Sequence, residues 1–294
     1  MTDLLKNKEV KALINLLYES DDEIYNQVKN KIFSYGIDVV PALENAWEST
    51  FDDLIQYRIE NIIHKIQFDD LCIELKNWAQ FKSKDILSAY ILVTKYQYPD
   101  IEKDKIKTEI EKIKHDVWLE LSDNLTPLEK IKVLNHIFYE IYKFRGNISN
   151  LYTPQNFYLN NLLEIKKGNS LSLGILYLII AKNLNMPVYG INLPGHFILA
   201  YANELRQEKI SFIDKNEMLF YINPLRKGYI FQKKQIDIFV KQMNIEPKKS
   251  FYYPCDNTDI IKRFLLDLSY SYEKSGELNK EKEIKILINA LQDK

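Results

Sequence analysis

Between Leu171 and Leu184 the chain reads LSLGILYLIIAKNL, fourteen residues with a single charge. A helix with no polar face cannot lie on a surface, so the segment predicts a buried central helix that other elements must cover. Gly168 and Asn169 break the helical pattern before it, and Ser170 stands where it caps or opens the helix. Asn183 to Pro187 turns the chain. Val188 to Leu193 then reads as a strand, Pro194-Gly195 as a turn, and His196 to Tyr201 as a second strand. A hydroxyl at a helix start and an imidazole at a strand start are thereby expected at one end of a helix packed on a sheet, as a nucleophile and base would be.

Upstream, apolar residues recur at three and four spacing over Glu9 to Tyr18, Asp22 to Ser34, Val39 to Trp47, Leu54 to Ile66, Asp69 to Trp78, Ile86 to Tyr96 and Ile101 to about Leu121, predicting an all-helical first third. Thr126-Pro127-Leu128-Glu129 has capping-box spacing with Pro at the first helical position, so a new helix starts there and runs to Phe144. A short helix over Phe157 to Lys166 leads into the Gly168 break. Downstream, Ile210 to Ile213 and Leu219 to Ile222 read as a hairpin, Tyr229 to Phe231 as an edge strand and Lys233 to Met243 as a helix. Pro247 to Pro254 is read as a linker, and helices over Asp259 to Lys274 and Asn279 to Leu291 form the tail. The expected fold is helix-rich α+β, with a helical block over 1–123, a core over 124–245 that sets a central helix against an antiparallel sheet, and a helical tail over 246–294.

Forty basic against forty-one acidic residues leave no net field to favour nucleic acid or an anionic membrane. No apolar run reaches the roughly 20 residues of a membrane span, and the N-terminus lacks a signal-like apolar stretch, so a cytoplasmic protein is expected. Cys72 and Cys255 are the two cysteines and have no zinc-ligand spacing, so neither a disulfide framework nor a metal site is expected, and no cofactor motif is present. His64, on an apolar face, reads as a core or rim residue, and His115, among charges, as solvated. The pairs Asp21-Asp22, Asp52-Asp53 and Asp69-Asp70 read as helix N-terminal carboxylates.

LNHIFYEIYKFRGN (134–147), NFYLNNLLEIKKGNSLSLGILYLIIAKNLNMPVYGINLPGHFILAY (156–201) and YINPLRKGYIF (221–231) occur in that order. Together they resemble the branch of the transglutaminase-like superfamily named after a bacterial invasion-gene regulator. SYGIDVVPALENAW is similar to a HEAT-type helical pair, and LLDLSYSYEKSGELNKEKEIKILINAL to a tetratricopeptide hairpin. The resemblance implies a papain-like core, with the nucleophile at the N-terminal end of the central helix and a histidine and an orienting residue on the sheet. By position it places the nucleophile slot on Ser170, the histidine on His196 and the orienting slot on Asn223. Asn in the third place is compatible with papain-like chemistry, but Ser in place of Cys is the serious departure. A thiol can ionise beside an imidazolium and a helix N-terminus, whereas a hydroxyl stays protonated.

Two readings follow from these residues. In one, Ser170 is a structural cap and the chain is a transglutaminase-like pseudoenzyme that binds a protein or peptide partner. In the other, Ser170, His196 and Asn223 form a serine hydrolase or acyltransferase triad acting on peptide or amide bonds, with first-turn N–H groups as oxyanion donors.

Overall fold

The computed structural model describes residues 8–19, 21–150, 152–203 and 218–292. It divides into two compact units, Met1–Glu74 and Leu75–Lys294. The first is built of α1 (Lys8–Asn15), α2 (Asp22–Phe33), α3 (Val40–Ser49) and most of α4 (Asp53–Asn77). Carboxylates supply two of its helix starts. Asp21 accepts the Glu23 and Ile24 N–H groups at 2.8 and 3.2 Å, and Asp52 those of Leu54 and Ile55 at 2.9 and 3.2 Å. Leu17, Ile32, Val39, Leu43 and Ile59 are fully buried at its centre.

The two helices read over Leu54 to Ile66 and Asp69 to Trp78 are one helix, α4. Neither Gly nor Pro interrupts Ile66-Gln67-Phe68, and Asp69 pairs with Lys65 one turn back at 2.6 Å instead of capping a new start.

The second unit continues with α5 (Ile86–Lys95), α6 (Lys103–Glu120) and α7 (Pro127–Asn135). Thr126 and Glu129 form the reciprocal capping box at the start of α7. The helix does not reach Phe144 in regular form, because it widens into a π turn over His136–Ile141. Arg145–Gly146 (β1) then pairs in parallel with Lys167–Gly168 (β2), with α8 (Leu159–Ile165) between them. α9 (Ser170–Asn183) follows, with every residue from Leu171 to Ala181 buried.

The main sheet has the order β3 (Val188–Leu193), β4 (His196–Ala202), β5 (Met218–Asn223), β6 (Tyr229–Phe231), and all its pairs are antiparallel. The expected first hairpin strand, Ile210 to Ile213, lies outside the described residues, and β5 pairs directly with β4. Both faces of the sheet are covered. Ile191, Leu193, Ile198, Ala200 and Tyr221 pack with Ile236 and Val240 of α10 (Lys233–Gln242), whereas Phe197 points at α9. Such a sheet shows little polar alternation, and β4 accordingly has six buried residues after His196. The tail is an antiparallel pair, α11 (Asn257–Ser275) and α12 (Leu278–Ala290), joined at Gly276 in the left-handed conformation with φ +80°.

Gly174 fixes the closeness of helix to sheet. A Cβ there would lie 2.7 Å from the Phe197 ring and 3.3 Å from Pro224. Gly174→Ala is therefore expected to force repacking and to lower stability by about 1–3 kcal/mol, read as a reduced urea midpoint with unchanged m.

Candidate functional site

The N-terminal end of α9 is built on a break in the backbone. Lys166 ends α8 in the left-handed conformation, β2 sets Gly168 beside β1, and Asn169 turns extended. Asn169, not Ser170, is the helix cap. Its Oδ1 accepts the Ser172 N–H at 2.8 Å, and the Ser172 hydroxyl accepts the Asn169 N–H at 2.9 Å. Ser170 is the first helical residue, half-buried. The Asn169-x-x-Ser172 spacing is itself a capping-box signal, obscured in the sequence by Ser170, an equally good cap former directly beside it.

His196 opens β4 opposite Leu193. Strand alternation puts it on the face of Ile198 and Ala200, and its ring lies 5.2 Å from that of Phe239 on α10. Partial burial, and after it the charges of Arg226 and Arg263, hold its imidazole below the usual histidine range. Asn223 ends β5 on the same face as Tyr221 and caps the following 3₁₀ turn. Its Oδ1 accepts the N–H groups of Leu225 at 3.1 Å and Arg226 at 3.2 Å.

Gly174, one turn into α9, abuts Phe197 and Pro224, the chain neighbours of His196 and Asn223, but alternation sets His196 and Asn223 themselves on the other face of the sheet from Phe197, the face that α10 covers. Among the described residues, no hydrogen bond joins any two of the three side chains. Both acceptor directions of the Asn223 amide oxygen are committed to backbone, so it is not presented to orient the imidazole. Arg226 and Arg263 were not legible as neighbours of His196. Arg263 comes from α11 and is held by Asp267 at 2.8 Å.

Neither cysteine supplies a replacement nucleophile. The Cys255 thiol donates to the Gly190 carbonyl at 3.2 Å, and burial, with Asp259 adding to it, pushes its pKa up to about 12. Cys72 lies within α4, in the stretch that belongs to the first unit. Among the described residues there is no group of three or more His, Cys, Asp or Glu side chains placed to hold a metal, and no helix long and apolar enough to cross a membrane.

The family profile described as the transglutaminase-like superfamily matches residues 104–266, more than half of the chain. The chain belongs to the transglutaminase-like superfamily. The match runs from the first turn of α6 into α11 and so takes in α9, the whole sheet and α10. Among curated relatives, a UPF0162 protein of Xylella fastidiosa is 29% identical over 115 residues, covering 39% of this chain and 41% of the relative. A UPF0162 protein of Buchnera aphidicola is 24% identical over 213 residues, 71% of this chain and 72% of the relative. F-box only protein 21 of Mus musculus is 27% identical over 112 residues, 38% of this chain and 17% of that protein. The chain thus spans about two fifths of the length of the Xylella relatives it matches. No solved structure matches it.

Two outcomes follow from this geometry. Asn169→Ala should cost about 1 kcal/mol or more in stability because it removes the cap, whereas Ser170→Ala should cost far less, both read by urea denaturation. The folded-state pKa of His196 is depressed below its ordinary value of 6.5, so the unfolded chain binds more protons as pH falls through that value, and the stability present above it is lost below it. His196→Asn should therefore flatten the decline in urea midpoint between about pH 7.5 and about pH 5.5 relative to the native protein.

Proposed function

We propose that this superfamily member is a non-catalytic, transglutaminase-like interaction or regulatory module that acts in the cytoplasm on a protein or peptide partner and not on nucleic acid or membrane. In this reading it belongs to the invasion-gene-regulator branch, and Ser170, His196 and Asn223 occupy the triad positions in a form that no longer supports covalent catalysis. The N-terminal helices act as a HEAT-like block and the α11–α12 pair as a tetratricopeptide-like one, each offering a helical surface to the partner.

The reading rests on Ser170, the residue that the resemblance sets at the nucleophile position. A serine hydroxyl needs a base in hydrogen-bond contact to lose its proton during attack. Two further features support it. His196 packs against Phe239 beside two arginine charges that disfavour its protonated form, and Asn223 spends its amide oxygen on a turn. Loss of an activated nucleophile removes several powers of ten in rate, each worth about 1.4 kcal/mol of barrier.

The test combines two probes. The native protein is expected to resist labelling by a fluorophosphonate. In the Ser170→Cys variant, the introduced thiol should alkylate faster than the buried Cys255 thiol, which donates to a carbonyl and ionises only near its raised pKa of about 12. Labelling of the native protein at Ser170 that disappears in His196→Ala would reverse the conclusion in favour of a serine hydrolase or acyltransferase.

A further inference from the structure

At the opposite end of α9 from Ser170, a cleft of about 380 Å³ opens between the C-terminal turn of that helix, the end of α6, the start of α7 and Tyr201 of β4. That volume falls within the range of small-molecule sites. The lining carries groups of both signs. Lys114 of α6 and Lys130 of α7 reach it from two different helices. Lys114 is paired with Glu111 on its own helix at 2.9 Å, while Lys130 has no ion pair among the described residues.

The C-terminal end of α9 adds partial charge of the opposite sign. The last carbonyls of a helix carry its partial negative charge. Here the Asn183 carbonyl is left open because the residue four positions on, Pro187, has no N–H to donate, and the Val188 N–H bonds to Met186 instead of reaching back to Leu184. Asp123, in the connection between α6 and α7, adds a carboxylate that pairs with no cation among the described residues. Between these charges lie apolar surfaces. Met186 is 4% exposed, and Trp118 presents its indole with 60% of the residue exposed. The Tyr201 hydroxyl, in a residue only 5% exposed, makes no hydrogen bond among the described residues.

We propose that this cleft binds a small zwitterion with an apolar side chain, that is, a free α-amino acid. Its carboxylate meets Lys114, Lys130 and the Tyr201 hydroxyl. Its ammonium meets Asp123 and the open carbonyls of Asn183 and Leu184, and its side chain lies on Trp118 and Met186. An anion alone would leave Asp123 and the helix C-terminus opposed to it, and a cation alone would face two lysines. A ligand carrying both charges meets groups of both signs.

L-Phenylalanine is the probe, with 3-phenylpropionate lacking the ammonium and phenethylamine lacking the carboxylate. Excited at its red edge, Trp118 emission reports occupancy without interference from the ligand, and Trp118→Phe identifies the signal. L-Phenylalanine is expected to saturate with Kd on the order of 1 mM, and each analogue to bind about tenfold or more weakly. Lys130→Ala should weaken L-phenylalanine and phenylpropionate and leave phenethylamine unchanged, while Asp123→Asn should weaken L-phenylalanine and phenethylamine only. Failure of L-phenylalanine to saturate the signal, or binding of either analogue as tight as that of the amino acid, would overturn the proposal. An effect of Lys130→Ala on phenethylamine equal to its effect on L-phenylalanine would overturn it as well.

Discussion

The second unit depends on covering a helix that has no polar side. Each fully buried Leu, Ile or Tyr side chain of α9 contributes about 1.5–3 kcal/mol when removed from water, so a partly exposed α9 would forfeit much of the driving force for folding. The surrounding elements are arranged to prevent this. Phe197 and the sheet press on one side at the closeness that Gly174 permits. On another side the Phe138, Tyr139 and Tyr177 rings pack together, with Phe138 4.8 Å from Tyr139 and 5.5 Å from Tyr177.

Burying Tyr177 carries a polar hydroxyl inward, and a relay of side chains satisfies it. Tyr177 donates to the Asn135 Oδ1 at 2.9 Å, and the Asn135 amide donates to the Gly228 carbonyl at 2.9 Å. Tyr139 similarly donates to the Pro224 carbonyl at 3.0 Å. These bonds tie α9 and α7 to the turn between β5 and β6, the turn that Asn223 caps. The residue that the resemblance sets in the orienting position is thus a structural cap. In this chain its amide oxygen serves the structural role, because leaving the turn's N–H groups unpaired would cost more than an unoriented histidine costs to stability.

The two ends of α9 have diverged in chemistry. At the N-terminal end the helix N–H groups face Asn169 and Ser172, an internal cap that closes on itself. At the C-terminal end the helix stops before a proline, its carbonyls stay open, and lysines from neighbouring helices gather beside them. The packing that holds a buried helix is indifferent to which of its ends faces a ligand, so the chemistry at the two ends can differ freely.

The sequence by itself determined most of the architecture. The apolar run of α9, the Pro194-Gly195 turn between β3 and β4, and the Thr126–Glu129 capping box are local signals whose physical causes lie within a few residues, and the elements they announce are present at nearly the boundaries read from them. The order of motifs also carried the superfamily. What it left undecided depends on contacts between distant residues. The choice of Asn169 over Ser170 as cap depends on how β2 delivers the chain. The surroundings of His196 are set by Phe239, Arg226 and Arg263 from three separate elements. Local propensity fixes where a helix or strand begins, but the direction of a side chain and the identity of its neighbours are fixed by packing, which only the tertiary structure decides.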